Sequence, residues 1–364
     1  MPQTLSVIKA GVGGFVGRSG THPEVIEAAR EALALAVQSG LLTDAQAHAC
    51  GDDLFLVMAH GHGEDHEGVH RTAWETFEAC TEVARRLHLY GAGQDVLTDA
   101  FAGSVRGTGI GSAELVLTER PSEPVVVFMA DKTAVGAFNL PLVRTFADPF
   151  TTPGLVMAEP LHQGFAFEVH DLKHHRKVMF TTPEETYDLL AFVGATSQYA
   201  VKRIVSRATG EVAAVASTDR VADLAGRYAG NDDPTAIVRC HGAFPTVGEV
   251  LEPYTLPQLV VGGLRASHHG PWMPVGQEGA GTSRSDGPPR VVALGFQLAE
   301  GRLVGPRDLF ADAAFEGARR QANEVADYLR RHGPFEPHRL PLEEMEHSTV
   351  PSVAARMASR WSDL

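Results

Sequence analysis

Apolar positions in this chain fall into two kinds of run. The first is short and nearly unbroken: "LSVIKA" (5–10), "LFLVMAH" (54–60), "PVVVFMAD" (124–131), "EVAAVAS" (211–217), "TAIVRC" (235–240) and "RVVALGFQL" (290–298). Each is of strand length and bounded by Gly, Pro, Asp or Ser, which predicts β-strands. The second kind repeats at helical spacing. "HPEVIEAAREALALAVQSG" has Pro23 near its start and Gly40 just past its end, the punctuation expected of a helix. "HEGVHRTAWETFEACTEVARRLHLYG" aligns Val69, Ala73, Phe77, Cys80, Ala84 and Leu87 on one face, with Gly91 as terminator. "PEETYDLLAFVGA", "STDRVADLAGRYAG" and "AFEGARRQANEVADYLRRHG" read the same way.

The two kinds of run mix without strict β-α-β alternation, and no dinucleotide fingerprint follows a strand into a helix. The pattern therefore predicts an α+β fold with layered elements. There is no internal repeat, and "PVGQEGAGTSRSDGPPR" (274–290) is the one loop-rich stretch. At 364 residues the chain can bury a sizeable core, as one large domain or two ordinary ones. With 44% apolar and 21% charged residues its composition is that of a globular protein. A net charge of −14 argues against nucleic acid or an anionic membrane as partner, since phosphate is bound through basic surface. Three widely spaced cysteines, Cys50, Cys80 and Cys240, form neither a disulfide framework nor a CxxC site. No signal peptide or apolar span is legible, so a cytoplasmic location is expected.

Candidate chemistry gathers at strand ends. Asp52 and Asp53 precede one apolar run, Asp131 follows another, and Asp232 and Asp233 precede a third. Carboxylates so placed can converge on a hard cation, or simply serve turns and helix caps. Lys132 and Arg265 add cations of the kind that meet a phosphorylated substrate, or ordinary ion pairs. "AHGHGEDHEGVH" contains a formal HExxH (His66, Glu67, His70), but it opens a helix rather than lying in its middle, so a solvated helix start is the expected reading. "SVRGTGIGSAE" (104–114) lacks the GKS/T of a P-loop and fits a tight β connection.

In order along nearly the whole chain, "SVIKA", "GDDL", "LYGAGQD", "SVRGTG", "FMADKTAVGAFNLPL", "YAG-DDP", "SHHGP-MPV", "DGPPR" and "VADYLRRHGPFEPHRL" resemble the archaeal and bacterial fructose-1,6-bisphosphate aldolase/phosphatase family. The resemblance implies a single four-layer α-β-β-α sandwich domain over 1–364, several Mg²⁺ ions and a homo-octamer. Members condense two triose phosphates through a lysine Schiff base and then remove the C1 phosphate at the same site. By position it implies metal ligands at Asp52, Asp53, Gln94, Asp131, Asp232 and Asp233. It implies substrate contacts at Tyr90, Gly103, Ser104, Lys132, Arg265 and Asp286, and an aldol proton-transfer role at Tyr228.

The departures from the family pattern are chemical. Asn231 stands where the Schiff-base lysine belongs, and an amide nitrogen, its lone pair delocalised, cannot condense with a ketone. Gly11 replaces an aspartate ligand, Arg18 a histidine, His347 a tyrosine that approaches substrate in the aldol step, and His241 a glutamine contact. Three readings follow: a Mg²⁺-dependent phosphatase on a phosphorylated sugar without Schiff-base aldolase activity; a metal-dependent isomerase, dehydratase or aldol-type lyase using His347 as acid/base; or a non-catalytic metabolite-binding relative.

Overall fold

The structure is a computed structural model that describes residues 2–96, 101–102, 105–106, 111–172, 174, 176–196, 198–220, 233–261, 269–281 and 287–331. Its strands are β1 (Gln3–Gly11), β2 (Asp44–Cys50), β3 (Asp53–His60), β4 (Phe101–Ala102), β5 (Val105–Arg106), β6 (Gly111–Leu117), β7 (Glu123–Asp131), β8 (Phe165–Asp171) and β9 (Arg176–Thr181). They continue as β10 (Tyr199–Ser206), β11 (Val212–Ala216), β12 (Asp219–Arg220), β13 (Thr235–Arg239), β14 (Leu259–Val261), β15 (His269–Pro271), β16 (Met273–Pro274), β17 (Arg290–Ala299) and β18 (Arg302–Asp308). The α-helices are α1 (Pro23–Gln38), α2 (Glu67–Arg86), α3 (Asn139–Ala147), α4 (Gly154–Met157), α5 (Thr186–Val193), α6 (Val247–Leu251) and α7 (Glu316–Arg331). The fold is α+β, with antiparallel sheets. No described helix is long and apolar enough to cross a membrane.

One sheet orders its strands β12-β6-β1-β3-β2; the other runs β16-β17-β7-β13-β11-β10-β8-β9, with β18 on β17. Side chains alternate along each strand, and here both sides are covered. Ile8 and Ala10 of β1 and Leu54, Leu56 and Met58 of β3 pack with Val25 and Leu33 of α1 and Phe77 of α2. The alternate residues Leu5, Val7, Phe55 and Val57 meet Val125, Val127, Met129, Ile237 and Val292 of the second sheet. That sheet's other face, with Val126, Phe128 and Ala130, packs on Phe138, Leu142, Phe146, Leu189 and Val193. Burial on both faces is why these strands read as unbroken apolar runs rather than as an alternation. Each fully buried large apolar side chain contributes roughly 1.5–3 kcal/mol.

The helices follow the periodicity. Pro23 occupies the first turn of α1 behind His22, whose Nδ1 accepts from Glu24 N at 3.2 Å. Helix α2 ends at Arg86, before Gly91, because His88 itself takes a left-handed backbone (φ 53°) and the amide of Leu89 turns back to Ala84 O. Two expectations are corrected. The supposed helix 217–230 begins instead with β12, where Asp219 pairs with Ser112, while 221–230 lie outside the described residues. The HExxH run does open a helix, with His66 as its N-cap, but His70 is buried rather than solvated. Strands β2, β6, β8, β9, β10 and β18, with several two- and three-residue strands, add to the expected set. They are interrupted by polar or charged residues because several lie at or near sheet edges, as in the half-exposed "DAQAHAC" of β2.

Candidate active site

The two sheets bring four strand ends together. Gly11 at the end of β1 lies opposite Asp53 at the start of β3. The turn joining β2 to β3 then presses against the end of β7: a Cβ on Gly51, whose φ is +61°, would lie 2.4 Å from Asp131 Cγ. Only glycine permits that approach. The partner strand β13 delivers Asp233 at its entry, where Thr133 N donates to Asp233 Oδ1 at 2.7 Å and Asp233 N donates to Thr133 O at 3.2 Å. Carboxylates from these strand ends thus lie near one another.

Two ammonium groups are each shared between two of these carboxylates. Lys132 Nζ lies 2.7 Å from Asp131 Oδ1 and 3.0 Å from Asp52 Oδ1. Lys9 Nζ lies 3.2 Å from Asp53 Oδ2 and 3.8 Å from Asp95 Oδ2. Arg18 brings its Nε to 3.9 Å from Asp52 Oδ2. Asp95 also accepts from Gly11 N at 2.7 Å, which ties the 93–95 turn to the end of β1. Asp52, Asp53, Asp95, Asp131 and Asp233 are all buried.

Burial disfavours charge on a carboxylate, and like charges nearby add to the effect. Both push Asp131 up to about 7, against the pull of Lys132. Burial and the Asp233, Asp52 and Asp95 carboxylates likewise raise Asp53, with Lys9 opposing. Burial alone would lower Lys132, but Asp131, Asp52 and Asp233 outweigh it and raise it. Asp131 Oδ2 is buried with no hydrogen-bond partner among the described residues. Oxygen donors, one of them orphaned, are what a hard divalent cation takes. Among the described residues no three of these carboxylates bring oxygens within 4.8 Å of one another, and the lysine ammonium groups lie between them.

The family model described as fructose-1,6-bisphosphatase matches residues 3–362. The chain belongs to this family. It is 56% identical to the fructose-1,6-bisphosphate aldolase/phosphatase of Moorella thermoacetica over 98% of this chain and 94% of that protein. The enzymes of the same name from Methanothermobacter marburgensis, 52% identical over 100% of both chains, and Ignicoccus hospitalis, 54% identical over 98% of this chain and 92% of its own length, are similar to it as well.

The family-derived residues can now be placed. Asp52, Asp53, Asp131, Lys132 and Asp233 come together, and Arg18 reaches the same pocket. Gln94 is buried in the turn whose amides at Gly93 and Asp95 bond to Val12 and Gly11. Tyr90 exchanges backbone hydrogen bonds with Gly14 and keeps its ring exposed. His241 does not join them within one chain. It follows β13, whose Arg239 lies opposite Val125, so it stands at the far end of β7 from Asp131, roughly 25 Å along the strand. Gly103, Ser104, Tyr228, Asn231, Asp232, Arg265, Asp286 and His347 lie outside the described residues. Lys9 and Asp95 are site residues that sequence reasoning passed over. The signal was a single charge inside the apolar run "LSVIKA": a strand lysine facing another sheet must meet a carboxylate.

Proposed function

We propose that this chain is a Mg²⁺-dependent phosphatase acting on a sugar bisphosphate of the fructose 1,6-bisphosphate class, and that it lacks Schiff-base aldolase activity. The observation that carries the reading is the gathering of Asp52, Asp131 and Asp233 about Lys132, with Asp53 beside them on Lys9 and Asp131 Oδ2 left unpartnered. Family membership and relatives named for the same substrate support it. Those carboxylates, with Gln94 and Asp232, would hold Mg²⁺, which when bound polarises a phosphoryl group and neutralises charge developing on it. Lys132, once released from its bridge between Asp52 and Asp131, carries the ammonium that meets a substrate phosphate. Arg18, fixed beside Asp52, adds a second positive group on the same wall, where the family pattern has histidine.

Loss of the aldol step rests on Asn231, which offers no amine to a ketone. The three core clusters support a helix-sheet-sheet-helix stacking of four layers in one domain over 1–364. A homo-octamer and a cytoplasmic location belong to the same proposal. The deciding experiment incubates the purified chain with fructose 1,6-bisphosphate and a panel of sugar phosphates, with Mg²⁺ and then with EDTA. Phosphate release that EDTA abolishes, with no imine trapped by borohydride, is the expected result. A changed sugar without phosphate release would instead favour the His347 chemistry, and binding without turnover the non-catalytic reading. Asn231→Lys restores the missing amine, and an imine trapped in that variant alone would assign the loss of aldolase chemistry to this position.

A further inference from the structure

The histidine-rich turn before α2 holds a second cluster, on the other face of the first sheet. Ser6 lies opposite Glu114 in the β1–β6 ladder and opposite Met58 in the β1–β3 ladder, on the side of the sheet that meets α1 and α2. It is five residues back from Gly11, about 17 Å along the strand, so the cluster is separate from the acidic pocket.

Hydrogen bonds fix the protonation of this cluster. His62 N donates to His60 Nδ1 at 3.3 Å, which leaves the His60 proton on Nε2, 2.8 Å from Ser6 Oγ. Burial lowers His60 to about 4 and keeps it neutral. Ser6 Oγ then donates to Glu114 Oε1 at 2.5 Å, and Asp65 N donates to Glu114 Oε2 at 2.7 Å. Both oxygens accept, so Glu114 is a carboxylate. Among the described residues no lysine or arginine pairs with Glu114 or with Asp65.

The other histidines of the run are committed: His60 as above, His62 Nε2 to Leu41 O at 3.0 Å, and His66 Nδ1 to Val69 N at 3.4 Å. His70 differs. It is 3% exposed, and neither ring nitrogen has a hydrogen-bond partner, although Nε2 lies 3.2 Å from Glu114 Oε1. That distance is met without the direction a hydrogen bond needs, which leaves a buried imidazole aimed at two carboxylates. One ligand atom each from Asp65, His70 and Glu114 lies within 4.8 Å of the others.

We propose that Asp65, His70 and Glu114 form a binding site for a divalent transition-metal ion. One imidazole nitrogen and two carboxylates suit Zn²⁺ or Mn²⁺ better than Mg²⁺, which prefers oxygen and retained water. The Ser6 hydroxyl and the Asp65 amide hold Glu114 as an outer shell holds a metal-binding carboxylate. Asp65 is exposed, which gives the ion a way in. Bound there, it would tie the 61–66 turn to α2 and β6.

The test titrates Zn²⁺ into the full chain, stripped of metal by chelator and held in excess Mg²⁺ to occupy the acidic pocket. One Zn²⁺ equivalent is expected, retained in Asp131→Asn, weakened at least about tenfold in Asp65→Ala and lost in His70→Gln, with phosphate release unchanged in the last two. Co²⁺ in place of Zn²⁺ should give a visible absorption that His70→Gln alters. No Zn²⁺ equivalent in the parent chain, or unchanged Zn²⁺ affinity in Asp65→Ala, overturns the site. Asp65 is exposed, so its variant decides even where His70→Gln fails to fold. Failure of the phosphatase reading would leave this outcome unaffected.

Discussion

Strand β7 carries a fully buried carboxylate at each end, and the fold treats the two differently. At its start Glu123 is saturated. Oε1 accepts from Arg120 Nη2 at 2.7 Å and Arg239 Nε at 2.9 Å, while Oε2 accepts from Arg120 Nε and Arg239 Nη2, both at 2.8 Å. At its end Asp131 shares one lysine with Asp52 and keeps one oxygen without a partner. Burial works against charge at both ends. Two guanidinium groups overcome it at Glu123 and hold that carboxyl below its ordinary range, whereas like charges reinforce it at Asp131. A buried charge matched on every side belongs to stability; one left short of partners marks a place where the protein expects something to bind.

The largest effect should come from breaking the matched end. Arg239→Met leaves Glu123 buried with one guanidinium fewer and should cost about 3–5 kcal/mol in urea unfolding, with turnover per folded molecule unchanged. Its acid sensitivity follows from the same pairing. A carboxylate held low in the folded state contributes stability that is fully present above its unfolded pKa and is lost as pH falls through the folded value. Glu123→Gln should therefore unfold more easily at neutral pH yet lose less stability than the parent on acidification. A variant as acid-sensitive as the parent would remove Glu123 from the account.

Breaking the unmatched end should do the reverse. Asp131→Asn removes a repelling charge from a buried group, so the thermal midpoint should hold or rise, while Mg²⁺-dependent phosphate release falls by roughly 10²–10³-fold. If the variant kept its activity and lost stability instead, Asp131 would be a structural ion-pair partner like Glu123, and the contrast between the ends of β7 would collapse.

The sequence made one side of this contrast more legible than the other. Asp52, Asp53, Asp131 and Asp233 stand out because each interrupts or ends an apolar run, and a strand end is where side chains from different strands can meet. Lys9 and Asp95 were harder to read: the lysine sits inside a run, and only the packing of β1 against a second sheet shows that it must be neutralised. Glu123 and Arg239 lie 116 positions apart, and their pairing needs the β7–β13 register, which periodicity does not supply. His241 is placed by resemblance to the family, and the same register puts it at the opposite end of β7 from Asp131 within one chain. Core strands declared themselves through continuous apolarity, but edge strands such as the half-exposed, polar β2 and the short, largely exposed β9 carried too weak a pattern.

The smallest expected effect sharpens the comparison most finely. A Cβ on Gly11 would stand 3.0 Å from Asp53 Oδ1 and 3.1 Å from Asp95 Oδ2, so the position faces the acidic pocket directly. Gly11→Asp adds a carboxylate where two already share Lys9. Without divalent cation the added repulsion should lower the thermal midpoint. Adding Mg²⁺ should then raise it by more than in the parent, because an ion bound only by the folded state stabilises by an amount that grows with its affinity, about 2.7 kcal/mol at a hundred times Kd. Equal Mg²⁺-induced shifts in the two proteins would mean that the glycine is not the vacancy left by a lost ligand. A larger shift in the variant would show that the unmatched end of the sheet still has the geometry of a cation site, one carboxylate short.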